Sequence, residues 1–401
     1  MRDRTSLTPG LLAALGFVSA VGPFATDMYL ASFTDIADDL GTDASSVQLT
    51  LTAFLLGIGT GQLILGPLSD RWGRRPVLLS ALTVFALSGV ATVFSPTIGV
   101  FVALRFIQGF SGAAGVVVAR AIAADLSRGA ETVRALSLIA TVVGLGPLLA
   151  PPIGGLVATV WGWRGVLGVL AAVSLAMLMV AVVVIPESLP RAQRHAGGLG
   201  STFRTLGGLL RDGGLTAYVL AFGSAFATMM SYIAASPFVG QSVLGMSPLV
   251  YSLGFAAGAG ALLLANLANA RLAPRFGTRR MLFVGTTLLV AASATLTALT
   301  VLDALSPWTF IACAFAVTAG TGFTMSNASA LALGRAGHAR GSGSALLGAS
   351  QFLLGGLVSP LVGLWGEHTA VPMAITMIVA ATGAWILGRI AGAIQPPATG
   401  T

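Results

Sequence analysis

The stretch "GPLSDRWGRRP" (66–76) sets Asp70, Arg71, Arg74 and Arg75 within six positions of a 401-residue chain that is 55% hydrophobic and only 8% charged. Ordinary soluble domains carry about 25% charged residues. So few charges cannot clothe a water-facing surface, and the charged stretch reads as a short loop between two membrane spans.

Working outward from it, the segments free of Asp, Glu, Lys and Arg run 5–26, 44–69, 76–104, 135–163, 165–186, 213–270, 281–302, 304–334, 341–366 and 368–388. Most match one helical span of about 20 residues. The segment 213–270 is long enough for two, with "GMSPL" (245–249) as the turn between them. "FSPT" (94–97) ends one span, and the next starts near Ile98 and runs through Arg105. The expectation is an all-α integral membrane protein of about twelve transmembrane helices. The first apolar run has full span length and lacks a convincing cleavage site, so it reads as the first helix and not as a signal peptide.

All 21 basic residues are Arg. With the N-terminus in the cytoplasm, eighteen of them, from Arg2 and Arg4 through Arg128 to Arg389, fall in loops on that side and only Arg164 falls opposite. Asp35, Asp38, Asp39, Asp43, Asp303 and Glu367 gather mainly on the outer side. Arginine bias sets orientation, so both ends are expected in the cytoplasm and the chain in the cytoplasmic membrane. The net charge of +8 is scattered over short loops, which argues against a nucleic-acid groove. Cys313 is the single cysteine, so no disulfide can form within the chain.

The longest polar segment, 187–214, separates 1–186 from 215–401, six expected spans on each side. "PLSDRWGRR" (67–75) aligns with "RLAPRFGTR" (271–279), and "YLASF" (29–33) echoes "YIAASPF" (232–238). Two pseudo-symmetric six-helix bundles follow, an arrangement that places a substrate site near mid-membrane.

Five segments carry the chemistry. The opening stretch has Gly66 and Gly73, expected at helix ends and a tight turn, around its charges. "TDMYLASF" (26–33) puts Asp27 and Tyr29 after an apolar run broken by Gly22 and Pro23. A charged carboxylate at that depth costs about 2.5 to 3.5 kcal/mol, and reversible proton binding is the chemistry such a residue suits. "LRFIQGFSGAAG" (104–115) places Arg105 inside a span, where it must find a partner such as Asp27 or a substrate, with Gln108 on its face one turn on. "GPLLAPPIGG" (146–155) combines Gly146, Pro147, Pro151, Pro152, Gly154 and Gly155, expected to bend the helix and let a neighbour approach. "MMSYIAASPFV" (229–239), "TMSNASALALG" (324–334) and "GSALLGASQFLLGG" (343–356) offer Met229, Tyr232, Phe238, Asn327 and Gln351, adaptable apolar groups and dipoles suited to lipophilic ligands.

These segments resemble the major facilitator superfamily over nearly the whole chain, and within it the twelve-span drug:proton antiporters of the Bcr/CflA type, to which bicyclomycin and chloramphenicol exporters belong. The resemblance implies a proton-coupled multidrug exporter working by alternating access, with Asp27 and Arg105 in proton coupling. Tyr29, Gln108, Met229, Tyr232, Phe238, Asn327 and Gln351 would bind drug. Gly66, Asp70, Arg71, Gly73, Arg74 and Arg75 would form a latch facing "GSGS" (341–344), with 146–155 as the antiporter segment. Pro274 stands where the second copy of the loop would need Asp70, which leaves that copy weak. Relatives usually have Pro after the span-one carboxylate, where this chain has Ala31 and Thr34.

No G-x-x-x-x-G-K-[ST] loop occurs, and His195, His338 and His368 are scattered, so neither direct ATP coupling, a metal nor another cofactor is expected. The expected partners are a small-molecule drug, protons and the bilayer, and a monomer suffices. Export of an endogenous metabolite or sugar is the alternative within transport. A membrane-embedded enzyme or sensor would need a clustered acid, base or nucleophile that the chain does not display.

Overall fold

The computed structural model describes residues 7–127, 130–191, 194, 199–337, 340–363 and 368–394, and these contain helices and turns without a strand. Arg2, Arg4, Arg128, His195, His338 and Glu367 lie outside the described residues. The chain divides into two compact units, one of residues up to Thr42 with Leu49–Gly200, the other of Asp43–Gln48 with the residues from Ser201 on.

In the first unit, α1 (Pro9–Ser19), α2 (Val21–Asp27), a short turn at Leu30–Ser32 and α3 (Phe33–Asp39) make one broken span. The spans α4 (Ala44–Trp72), α5 (Arg74–Val93), α6 (Ile98–Asp125) and α7 (Ala130–Val184) follow. At about 1.5 Å per residue the 55 residues of α7 would exceed twice the hydrocarbon thickness of about 30 Å. Gly162, at φ 64°, breaks the helix and turns one long element into two spans. Pro147, Pro151 and Pro152 lie within helical backbone, and the break at Gly162 falls beside the boundary between the runs 135–163 and 165–186 that the sequence reads as separate spans.

The second unit holds α8 (Leu199–Leu209), inside the segment read as a plain polar linker, and α9 (Gly213–Phe238), α10 (Pro248–Phe276), α11 (Thr278–Val301), α12 (Pro307–Arg335), α13 (Arg340–Val358) and α14 (Val371–Ala393). With α7 counted as two, the described residues contain twelve spans. A chain of this composition must hide every backbone N–H and C=O inside its helices, because lipid offers no partner. The exposed ends are sealed by side chains: Thr8, Thr97, Ser247 and Ser306 cap α1, α6, α10 and α12, and Asp212 caps α9 through Gly214 and Leu215.

The internal echo has a backbone counterpart. Gly73 (φ 105°, ψ 151°) joins α4 to α5, and its aligned partner Gly277 (φ 89°, ψ 139°) joins α10 to α11 in the same left-handed conformation. A side chain there would be strained, which explains why both copies keep Gly. Gly66, by contrast, lies within α4 with open space around it and ends no helix.

Candidate functional site

The break after Asp27 organises the first unit's interior. Because α2 stops there, the Ala25 carbonyl belongs to the last turn and lacks a partner within the helix. Arg105, 0% exposed and about two turns into α6, fills that vacancy: its Nη2 donates to the Ala25 oxygen at 2.6 Å and its Nη1 donates to Gln108 Oε1 at 2.6 Å. The guanidinium carbon sits 4.5 Å from the ring centres of both Tyr29 and Phe54. Two faces of π-density and two strong acceptors replace the water a buried cation loses, while Nε keeps no partner.

Asp27 is 4% exposed, which rules out a solvated helix end at the interface. Its Oδ1 accepts a hydrogen bond from Thr26 Oγ1 at 2.7 Å. No ion pair joins Asp27 to Arg105 among the described residues, although Arg105 holds the carbonyl two positions upstream. The expected direct pairing is therefore replaced by an indirect one through the backbone of α2. Tyr29 completes the cluster, its hydroxyl 3.0 Å from Thr50 Oγ1 and its ring against Phe33 and Phe101.

The segment 146–155 packs directly on this element. A Cβ on Gly146 would collide with Pro23, and one on Gly154 would run into the Met28 carbonyl, so the two glycines let α7 lie against α2 at backbone distance. Pro151 and Gly155 are buried on the same helix and Pro147 is partly buried.

The charged loop 66–76 is bound into its own unit. Arg74 bridges Asp70 (Nη1 to Oδ1, 2.6 Å) and Asp125 (Nε to Oδ2, 3.0 Å) and donates to Ser69 Oγ, and its backbone N–H donates to Glu187 Oε1. Arg75 caps the end of α7 by donating to the carbonyls of Ile185 and Val182. Arg71 is exposed, and Asp70 remains 47% exposed at its side chain beyond the bond to Arg74. At the other end, Arg164 pairs with Asp39 and stacks on Trp163.

The residues singled out in the second unit do not share one setting. Tyr232 is buried between Phe255 (5.9 Å, stacked) and Phe310 (5.8 Å), and Phe238 is buried as well. Asn327 is buried and committed, its Nδ2 donating to Asn269 Oδ1 at 2.7 Å and to the Phe323 carbonyl. Met229 and Gln351 are partly exposed. Sequence reasoning missed Phe54, the second ring on Arg105, and the acidic partners Asp125 and Glu187 of the loop; an acidic residue at a span end opposite a basic loop was the available signal.

The family model of the Major Facilitator Superfamily matches residues 15–360. An uncharacterised MFS-type transporter of Bacillus subtilis, YdgK, is 36% identical over 379 residues, covering 94% of this chain and 93% of that one. A bicyclomycin resistance protein homolog of Haemophilus influenzae is 32% identical over 367 residues, covering 91% and 92%. Among solved structures, the nucleoside transporter NupG superposes with a TM-score of 0.74 at 13% identity, covering 96% and 98%, which speaks to the fold. Twelve spans in two units, a match that crosses both and relatives aligned along nine-tenths of the length lead to one assignment: the chain belongs to the Major Facilitator Superfamily and is a multi-pass membrane transporter, not an enzyme.

Proposed function

We propose that the protein is a drug:proton antiporter that exports small lipophilic antibiotics across the cytoplasmic membrane, with its arginine-rich end and both termini in the cytoplasm. The observation that carries the reading is the buried carboxylate of Asp27, set on a short helix whose end is held by Arg105 and whose flank is packed on Gly146 and Gly154. A proton arriving at Asp27 removes a buried charge, and one leaving restores it. Either event changes what the end of α2 must be paired with, and Arg105, bonded to that helix and to Gln108, senses the change. Rigid helices packed at backbone distance pass it on. The likeness to a bicyclomycin resistance homolog points to an antibiotic as cargo.

Met229 and Gln351, partly exposed on the second unit, are the residues of that unit best placed to touch cargo, while Tyr29 and Gln108 are buried in the first unit and support Arg105. Tyr232, Phe238 and Asn327 are buried and contribute packing within the second unit. Each pH unit of gradient supplies about 1.4 kcal/mol per proton and each charge moved through 100 mV about 2.3 kcal/mol, enough for tenfold accumulation per proton.

The test uses the purified chain in liposomes with a pH-sensitive dye trapped inside. Bicyclomycin or chloramphenicol added on the arginine-rich side should drive proton movement in wild type and fail to do so in Asp27→Asn, with the variant equally abundant and folded. Undiminished, proton-linked drug movement in Asp27→Asn would remove the proposal.

A further inference from the structure

On the second unit, at its arginine-rich end, α9, α11 and α14 enclose an open-sided cleft of about 230 Å³, with Tyr218 at its floor and Arg279 and Arg389 at its mouth. The volume is below the roughly 300 to 1,000 Å³ of drug-sized sites, and none of the lining residues is a carboxylate. Arg389 is sandwiched between Phe283 (4.4 Å) and Trp385 (4.9 Å), contacts that satisfy the faces of its guanidinium and leave its edge of N–H donors free. Arg279 makes no hydrogen bond or ion pair among the described residues. It also sits in the first turn of α11, where the helix dipole already presents positive charge.

Arg279 aligns with Arg75, and Arg75 is consumed by the carbonyls at the end of α7. In the second unit the equivalent arginine faces a gap. The gap's floor carries the second anomaly: Tyr218 is 2% exposed, lines the cleft, and its hydroxyl has no partner. Nearby Arg335 lies within electrostatic range of Tyr218 but spends its guanidinium hydrogen bonds on Asp212 and the Ile394 carbonyl. An unpaired buried hydroxyl costs free energy, so a donor left at the floor of a doubly cationic cleft points to an acceptor that arrives from outside.

We propose that this cleft binds the phosphate of an anionic phospholipid from the leaflet at the arginine-rich end, Arg279 and Arg389 pairing with the phosphate oxygens and Tyr218 donating from below. The source is a lipid because the cleft opens sideways onto an apolar surface: Phe283, Val284, Ile386 and Ile390 are exposed on α11 and α14, a track for acyl chains that a soluble anion would not use. Basic pockets between spans on the cytoplasmic side are a recurrent headgroup site.

The test is a titration of the detergent-purified full chain with phosphatidylglycerol, phosphatidylcholine or inorganic phosphate, bound lipid being counted by native mass spectrometry and the Tm recorded. Wild type should retain one phosphatidylglycerol against dilution and gain Tm. The double substitution Arg279→Gln with Arg389→Gln should weaken that binding by about a hundredfold, two charge-assisted contacts being removed. Tyr218→Phe should weaken it by roughly tenfold. Gly392→Leu, which adds a side chain into open space at the cleft, should block it with both arginines intact. Equal retention of phosphatidylglycerol by the double variant, equal binding of phosphatidylcholine, or the same Tm gain from inorganic phosphate alone would each overturn the proposal, the last by making the ligand a soluble anion.

Discussion

Arg105 shows how a cation survives inside a span: two short hydrogen bonds, two aromatic faces and a helix broken at the right place. Planarity is what lets one group use all four, so Lys cannot substitute. Arg105→Lys is expected to keep the charge yet lower transport in vesicles at least tenfold, because an ammonium cannot stack on Tyr29 and Phe54 while bridging Ala25 and Gln108. Tyr29→Phe keeps the ring face on Arg105 and loses the hydroxyl that contacts Thr50 and the Arg105 side chain, so it should cost about 1 to 2 kcal/mol of stability and lower transport less than Arg105→Lys does. Equal losses in the two variants, measured as initial efflux rates at matched protein level, would contradict this division of labour. The positions of Arg105 and Asp27 were legible in the chain, since a charge within an apolar run is conspicuous. Their mode of contact was not, because it passes through a backbone carbonyl that becomes available only where α2 ends.

At the scale of elements, α7 tests how close packing is achieved. Gly154→Ala pushes a methyl into the Met28 carbonyl and should destabilise by about 1 to 3 kcal/mol, whereas Gly168→Ala on the same element enters open space and should change the Tm little. Equal thermal shifts would refute the close approach of α2 and α7. The start of α9 tests electrostatics. The hydrogen bond from Arg335, more than any other influence, holds the Asp212 carboxyl below the ordinary carboxylate range. A group depressed in the folded state stabilises at neutral pH and loses that contribution as pH falls through its folded value. Asp212→Asn keeps a capping oxygen but not the charge paired with Arg335, so it should cost about 1.5 kcal/mol near pH 7. Melting curves of the two proteins should converge as the medium becomes acidic, and a gap that widens on acidification would reverse the argument. Aligned Gly73 and Gly277 made the repeat readable in the sequence, and the runs 135–163 and 165–186 placed a span boundary beside Gly162, although which residue turns the chain there needed the backbone angles.

For the whole molecule, topology is the property that transport direction depends on. Cys313, buried in α12, is the single native thiol, so Cys313→Ser gives a clean background for surface labelling. In that background Thr278→Cys should react with an impermeant maleimide only in inside-out vesicles, and Asp303→Cys only in intact cells. Labelling of both from one side would invalidate the orientation and with it the direction of export. The residues offered as drug contacts behaved unevenly for a reason that also acts at this scale. Tyr232 and Asn327 turned inward to Phe255, Phe310 and Asn269, whereas Met229 and Gln351 kept some exposure. In a soluble helix polarity marks the outer face, but in lipid both faces are apolar and the pattern has no direction.

Composition and spacing alone determined that this protein crosses the membrane about twelve times and carries a lone acid and a lone arginine at depth, because lipid penalises charge so heavily that any exception stands out. Tertiary structure alone decided which partner each of these finds, that Arg75 is spent on carbonyls while its twin Arg279 is not, and that the Tyr218 hydroxyl is left waiting, since such contacts depend on helix rotation and on where a helix ends. An apolar sequence encodes neither directly.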